Sequence, residues 1–237
     1  MPLRLRWYEF PRSPELLLRL GRQMLAEQYR VGQRSGFRME VVRRDELEGR
    51  YIERRDYVEE VEDPLGERIQ IPRVEFRQVA FKANGMSPLL ELTDAGRDAP
   101  LLFERLAAMA GDSIYVRPLT VDVSLWLRHL EAQHGTVKVL AARLSDLALS
   151  TTASASVTVK GTQDVRRHLD ELLHGRHGTI ERVHLELKRR TGTLNLELAQ
   201  DGRAVIHHGG EVAGTLAAES LAATRNAGDS DPKAPLH

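Results

Sequence analysis

The sequence predicts an α+β fold, with mixed or mainly antiparallel sheets and helices on one face. Three observations indicate this class: a well-capped helix near the start, long alternating segments on both sides of a Pro-Gly turn, and repeated strand–helix–strand order further on. The chain has 237 residues, of which 41% are hydrophobic and 29% are charged, as in an ordinary globular protein. A chain of this length can bury a core in one large domain or in two small ones.

The first predicted element is a helix from Pro14 to about Arg30. Ser13 is suited to cap its amino terminus, and Pro14 fits the first helical position, where no backbone N–H is needed. Leucines and a methionine recur at helical spacing, and Gly32 is a residue type that favours a helix end. We therefore expect one face of this helix to pack on the core.

A β-rich segment begins at Gly36, where apolar residues start to alternate with polar ones. Candidate strands at 51–61 and 68–82 are separated by Asp63-Pro64-Leu65-Gly66, whose proline and glycine favour a turn. These segments predict a long hairpin. The phase of its apolar residues changes around Pro72, which predicts either a bulge or an edge position there.

The rest of the chain alternates between predicted strands and helices. Aligning 89–116 with 156–183 places a strand, a turn, a helix, a glycine and a strand at nearly the same spacing, each set preceded by another strand. Two explanations stay open: a duplicated ββαβ unit, or a coincidence of the kind that alternating elements of average length produce. The pattern resembles ferredoxin-like repeats in element order alone, so the resemblance implies no functional residues. The predicted elements after the hairpin are strands at 89–92, 114–123, 137–149, 156–160, 180–188, 194–198 and 204–208, and helices at 98–111, 124–133 and 164–174.

Three regions follow from these elements. Residues 1–135 hold the first helix, the long hairpin and one strand–helix–strand unit. Residues 136–210 hold the second unit and a closing meander of strands. Residues 211–237 offer few large apolar side chains to bury, so we expect a disordered tail.

Composition and motifs exclude several classes of protein. The absence of cysteine excludes disulfides, thiolate catalysis and Cys-ligated zinc, and is typical of a reducing compartment. No glycine-rich phosphate loop, G-x-S-x-G elbow or H-E-x-x-H pair is present. No apolar stretch approaches the length of a membrane span, and the start lacks an apolar signal core. We expect a cytoplasmic protein without a cofactor or membrane contact, and the excess of arginine over lysine is typical of a GC-rich bacterium.

Two groups of residues are candidates for a metal site. His168, His174, His177 and His184 cluster in sequence, but the first two are six residues apart and lie on different helix faces. We expect them to face solvent or phosphate. Glu186 and Lys188 have the E-x-K form of a nuclease strand, which needs an aspartate on a neighbouring strand. A helix separates the nearest candidate, Asp164, from that strand, and alternation predicts that Glu186 and Lys188 lie on the polar face.

Two charged segments are candidate binding surfaces. Total charge is balanced, at 34 basic and 34 acidic residues, so binding to nucleic acid requires a local patch. The basic candidate interleaves with acids and has no aromatic residue for stacking bases, so contact with phosphates is the mode that remains. The acidic candidate for partner binding comprises Glu53, Asp56, Glu59, Glu60 and Glu62 on the hairpin. The basic candidate comprises Arg166, Arg167, Arg176, His177, Arg182, Lys188, Arg189 and Arg190.

Because no reactive constellation is found, we expect a non-catalytic binding or scaffold subunit of a bacterial cytoplasmic complex, with another protein as partner. A long polar hairpin is explained either by something that docks on it or by an ordinary sheet edge that charge protects. One alternative is a protein that binds the RNA or DNA backbone through the basic segment. A second alternative is a metal-dependent, nuclease-like hydrolase built on Glu186 and Lys188.

Overall fold

A computed structural model describes residues 2–85, 89–111, 114–189, 192–208 and 210–229 of the chain. Within these ranges the fold is α+β, with antiparallel strand pairing and five helices. The fold class is the one that the sequence predicts, but the sequence predicts only four of the five helices. None of the described helices is both long and apolar enough to cross a membrane.

The bounds of the elements are as follows. The strands are β1 (Leu3–Glu9), β2 (Ser35–Val42), β3 (Glu46–Glu62), β4 (Arg68–Asn84), β5 (Leu89–Thr93), β6 (Arg117–Pro118), β7 (Val137–Ala148), β8 (Ser154–Lys160), β9 (Thr179–Arg189), β10 (Gly192–Ala199) and β11 (Arg203–His208). The helices are α1 (Pro14–Ala26), α2 (Ala99–Ala110), α3 (Val123–His134), α4 (Arg166–Leu173) and α5 (Gly210–Asp229).

The chain divides into two compact units. We call Glu9–Arg117 the arm unit, and Met1–Tyr8 with Pro118–His237 the sheet unit. The first strand belongs to the sheet unit because Leu3–Arg6 pair antiparallel with β11. This division differs from the predicted boundary between 135 and 136, since pairing of the first strand with the last leaves no local signal in the sequence.

The arm unit is an antiparallel sheet in the order β2-β3-β4-β5, with α1 against its strands. Helix α1 begins as predicted: Ser13 Oγ accepts a hydrogen bond from the Leu16 N–H at 3.1 Å. It ends at Ala26 and not at Arg30. The reason is that the Phe37 backbone bonds the Glu27 carbonyl and the Tyr29 N–H, which draws the chain out of the helix.

Strands β3 and β4 pair without interruption from Glu46↔Asn84 to Glu62↔Arg68. Pro72 lies opposite Val58 with no bulge, and β5 pairs with β4 only at Ala80–Ala83. Of the two predicted alternatives, the edge position is therefore confirmed and the bulge is not found. The change of apolar phase instead reflects exposure of both faces of the hairpin.

The sheet unit is an antiparallel sheet in the order β1-β11-β10-β9-β7-β8, with helices on one face. Trp126 of α3 is fully buried and meets Trp7 of β1 edge to face, at 5.8 Å between ring centroids. Gly214 of α5 lies against Leu5 and Ile206. Alternation along the strands leaves the opposite face of this sheet polar.

The segment from Ile114 to Val123 is not the predicted strand. Only Arg117–Pro118 has strand structure, and α3 already begins at Val123, with Asp122 as its cap. Pro118 lacks the N–H that a longer ladder would need. Because no strand follows α2 at 114–116, the predicted ββαβ duplication is not confirmed.

Residues 210–229 form α5, where the sequence predicted a disordered tail. The helix is held by two small side chains and one leucine: Ala217, Ser220 and Leu221 are fully buried. Trp126 Nε1 donates hydrogen bonds to the Ala217 carbonyl at 3.1 Å and to Ser220 Oγ at 2.9 Å. An alanine-rich composition suits a closely packed helix as well as a disordered tail, so the composition alone does not distinguish the two. Residues 230–237 lie outside the described residues.

Candidate binding surfaces

The outer half of the β3–β4 hairpin, residues 55–76, projects beyond the core of the arm unit, and we call it the arm. Every residue of the arm is exposed except Asp63 and Ile71, which are half-buried. Its eight residue pairs, from Arg55↔Glu75 to Glu62↔Arg68, span about 26 Å at 3.3 Å per residue. In the part of the chain that the structure describes, no other strand pairs with the arm.

The arm carries large apolar side chains on both of its faces. Because directly paired residues point to the same side, Val58, Val74 and Phe76 share one face. Tyr57 and Ile69 lie on the other face, together with Val61. The exposed large apolar side chains of the arm are Tyr57, Val58, Val61, Leu65, Ile69, Val74 and Phe76, more than half of those exposed in the described residues.

The tip of the arm is an ordered turn. Asp63 Oδ1 accepts hydrogen bonds from the backbone N–H groups of Leu65 and Glu67, both at 2.8 Å. Gly66 adopts a φ of 86°, which favours glycine. This turn presents Leu65, with 88% of its surface exposed, at the end of the hairpin.

Four of the five predicted partner-binding acids lie on the arm. Glu59 accepts a hydrogen bond from Arg73 Nε at 2.7 Å, and Glu60 accepts one from Gln70 Nε2 at 3.2 Å. Glu62 is exposed near the tip. Asp56, the fourth acid on the arm, accepts a hydrogen bond from Arg54 Nε at 2.9 Å. The fifth acid, Glu53, lies at the base of the arm, where it is paired with Ser35 of β2.

The predicted basic cluster is not one surface, because Arg166 is committed to internal contacts. Its guanidinium bonds both carboxylate oxygens of Asp164, at 2.7 to 3.1 Å. It also donates to Glu131 Oε1 at 2.6 Å and to the Val137 carbonyl at 2.7 Å. The side chain thus ties the end of α3, the start of β7 and the start of α4 together.

The electrostatics of Asp164 and Arg166 agree with this structural role. Burial acts to raise the pKa of Asp164, but hydrogen bonds from the side chain and backbone of Arg166 outweigh burial and lower it. The hydrogen bond with Asp164 raises the pKa of the Arg166 guanidinium above its ordinary value. Both groups therefore stay charged and paired near neutral pH.

The other predicted basic residues scatter. Arg167 is exposed on α4 and bonds Glu171, four residues on, at 3.1 Å. Lys188 and Arg189 are consecutive on β9 and so point to opposite faces. Arg176 and His177 are exposed between α4 and β9, and Arg190 lies outside the described residues.

A second basic surface, which no local pattern in the sequence indicates, covers the polar face of the sheet unit. We call it the basic face. Arg143 on β7 pairs with Arg182 on β9, and Arg182 pairs with Ala199 on β10. Ala199 pairs with Arg203 on β11, and Arg203 pairs with Arg6 on β1. Four arginines thus form one row across five strands, about 19 Å wide at 4.8 Å per strand. We call this set the arginine row.

Other charged residues extend the basic face. Arg182 and Lys188 of the predicted basic cluster lie on the basic face. Arg143 bonds Glu181 at 2.8 Å, and Arg203 bonds Asp201 at 2.7 Å. A hollow of about 310 Å³ beside the row is lined by Thr120, Glu181, Arg182, Ala199, Gln200, Asp201 and Arg203. By strand alternation and pairing, the face carries Arg4, Arg6, Lys138, Arg143, Lys160, Arg182, Lys188 and Arg203, with Glu181, Glu186, Glu197 and Asp201 on or beside it.

Two histidines sit at the centre of the basic face. The rings of His184 and His207 are 5.5 Å apart between centroids. His207 Nε2 bonds Glu197 Oε1 at 3.2 Å, and His184 Nε2 bonds Asn195 Oδ1. Both rings are therefore held by neutral or acidic partners on β10.

The structure assembles no metal centre from the candidates. Among the described residues, no three His, Asp or Glu side chains are placed to hold a metal ion. Glu186 lies opposite Lys138 and Asn195. As predicted, it is on the polar face. Asp164, the aspartate that a nuclease site would need, is bonded by Arg166 through both oxygens.

No protein-family model matches this chain. The search of curated proteins likewise finds no similar sequence.

Proposed function

We propose that this chain is a non-catalytic binding subunit of a bacterial cytoplasmic complex, and that it docks on a partner protein through the arm. The observation that carries the proposal is the exposure of large apolar side chains on both faces of the arm. The apolar residues of β3 and β4 that lie nearer the core, such as Ile52 and Val79, are buried by contrast.

Stability supports the same conclusion. A two-stranded hairpin is marginally stable alone in water, because neither face is covered. Its unpaired edges also invite pairing with other chains. The core of the arm unit does not need residues 55–76, since none of them is fully buried. A partner that covers the arm would supply the missing contacts.

The chemistry of the arm indicates what kind of partner fits. Between Asp56 and Gln70 the arm has six acidic residues and one basic residue, Arg68. The apolar side chains are interspersed with these acids on both faces. A groove with an apolar floor and a basic rim would cover both features, and central apolar anchors with a polar rim are typical of protein interfaces.

Replacement of the arm tests the proposal. Residues 57–73 are exchanged for Asn-Gly, which closes the hairpin directly after the Asp56↔Val74 pair. Tagged wild-type and replaced proteins are then recovered from the native host and their co-purifying proteins compared. We expect one stoichiometric partner with the wild type and none with the replaced protein, while the thermal unfolding midpoints of the two agree within a few degrees.

Point variants separate apolar contacts from loss of the hairpin. Val58→Thr with Ile69→Thr removes apolar contact on both faces and keeps β-branched side chains. The matched control is Val31→Thr with Leu149→Thr, at exposed sites off the arm. We expect partner recovery to fall at least about tenfold for the arm pair and to stay unchanged for the control pair. A wild-type protein that purifies as a lone monomer contradicts the proposal.

A further inference from the structure

We propose that the basic face of the sheet unit binds the phosphate backbone of nucleic acid, without regard to base sequence. This inference concerns a different unit from the arm and does not rest on its function. It also names a different surface from the cluster around Arg166 that the sequence suggested.

The basic face carries an excess of positive charge. The basic face has eight lysines and arginines against four acids, although the whole chain is balanced at 34 of each. The acids bond individual arginines and hold them in place: Arg182 and Glu197, for example, are 3.6 Å apart. An excess of positive charge on one flat face attracts polyanions, and release of counterions from phosphates drives such binding.

The arginine side chains of the basic face are accessible to solvent. The side chains of Arg143, Arg182 and Arg203 are 53%, 47% and 49% exposed. The helices contact the opposite face of the sheet, through Trp126 and Gly214. Each of these guanidinium groups contacts a carboxylate but stays partly exposed, and guanidinium bonds phosphate oxygens in a two-pronged geometry.

Composition favours nucleic acid over an acidic protein. The cores of protein interfaces are rich in aromatic and large apolar side chains. None of the exposed large apolar side chains in the described residues lies on the basic face. Hydroxyl groups are present instead, such as those of Thr158 and Thr193, and hydroxyl donors are common contacts to phosphate.

The same composition predicts indifference to sequence. From Leu127 to His237 the chain has no Phe, Tyr or Trp. Tyr8 of β1, which lies beside Arg6, is buried, so among the described residues of the basic face only the rings of His184 and His207 are placed to stack on unpaired bases. We expect contacts to the backbone alone, so affinity should depend on salt much more than on base composition.

Charge-neutralising variants test this inference in the full chain. The face variant combines Arg143→Gln, Arg182→Gln and Lys188→Gln. The matched control combines Arg167→Gln, Arg176→Gln and Arg189→Gln, which removes the same charge from exposed positions that lie off the basic face and belong to the cluster the sequence predicted. Binding of fluorescein-labelled single-stranded and duplex oligonucleotides is measured by anisotropy, from about 50 to about 200 mM salt.

The wild type should bind both probes in a salt-dependent manner. The face variant should lose affinity by at least about tenfold, and its plot of log K against log salt should become less steep by about 2 to 3, because three phosphate contacts are lost. The control should match the wild type. The inference is overturned if the wild type binds neither probe at low salt, if both variants lose affinity equally, or if polyglutamate displaces the probes as well as unlabelled nucleic acid does, since an acidic protein would then be the ligand.

Discussion

At the scale of single residues, Arg166 shows how the structure assigns a role that the sequence does not. Arg167 and His168 follow it directly, so the sequence suggests that Arg166 belongs to a basic patch. In the fold it bonds Asp164, Glu131 and the Val137 carbonyl at once. Only the planar, forked guanidinium can bond three groups in this geometry, and lysine cannot replace it.

Substitution Arg166→Lys should therefore destabilise the protein. The side chain is 39% exposed, so solvent screening reduces its contribution, and we expect a loss of about 1 to 2 kcal/mol in the free energy of unfolding. Urea denaturation measures this change in the free energy of unfolding. The control Arg167→Lys, at an exposed pair on α4, should change this free energy by less than about 0.5 kcal/mol. Equal effects of the two substitutions would refute the assigned role.

Asp164 makes the stability depend on pH in a predictable direction. Because its pKa is lowered in the folded state, the carboxylate contributes stability above its unfolded pKa of about 4, and this contribution is lost as pH falls through the lower folded value. Asp164→Asn keeps an acceptor for the Arg166 N–H but removes the charge. The wild type should be more stable than this variant at neutral pH, and the difference should shrink below about pH 4. A difference that stays constant under acid would contradict the assignment.

At the scale of elements, α5 is held by a few buried side chains. Leu221 is fully buried, whereas Val212 is 52% exposed on the same helix. Leu221→Ala should lower the free energy of unfolding by about 2 to 5 kcal/mol, and Val212→Ala by less than about 0.5 kcal/mol. Guanidinium denaturation distinguishes the two. Similar small effects would indicate that residues 210–229 do not pack as a helix.

Local signals predicted the elements that depend on neighbours in sequence. Ser13 with Pro14 located the start of α1, and Pro64 with Gly66 located the tip of the hairpin. Alternation placed Glu186 on the polar face of β9. These features follow from capping, turn chemistry and side-chain period, which need only a few consecutive residues.

Features that depend on distant residues could not be predicted. The arginine row exists because the strand order is β8-β7-β9-β10-β11-β1 and because the register aligns Arg6 with Arg203 and Arg143 with Arg182. Each of these arginines taken alone is an ordinary polar position on a strand. Pairing of β1 with β11 and burial of α5 on Trp126 are long-range in the same way.

At the scale of the whole molecule, the chain carries two surfaces of opposite charge on two different units. The arm belongs to Glu9–Arg117, and the basic face belongs to the other unit. We expect the two functions to be separable. Replacement of residues 57–73 should leave oligonucleotide affinity within about twofold of the wild type, and the face variant should recover the protein partner in full. Loss of both activities in either variant would show that they share one site.

The central claim is that the arm is covered by a partner protein. The most direct measurement places a photo-crosslinking amino acid at Val58, at Ile69 or, as a control, at Val31, which is fully exposed off the arm, and irradiates living host cells. We expect one discrete crosslinked product, shared by Val58 and Ile69 because they lie on opposite faces of the same docked hairpin, and no such product from Val31. Docking through the arm is contradicted if the arm positions yield no product beyond that from Val31.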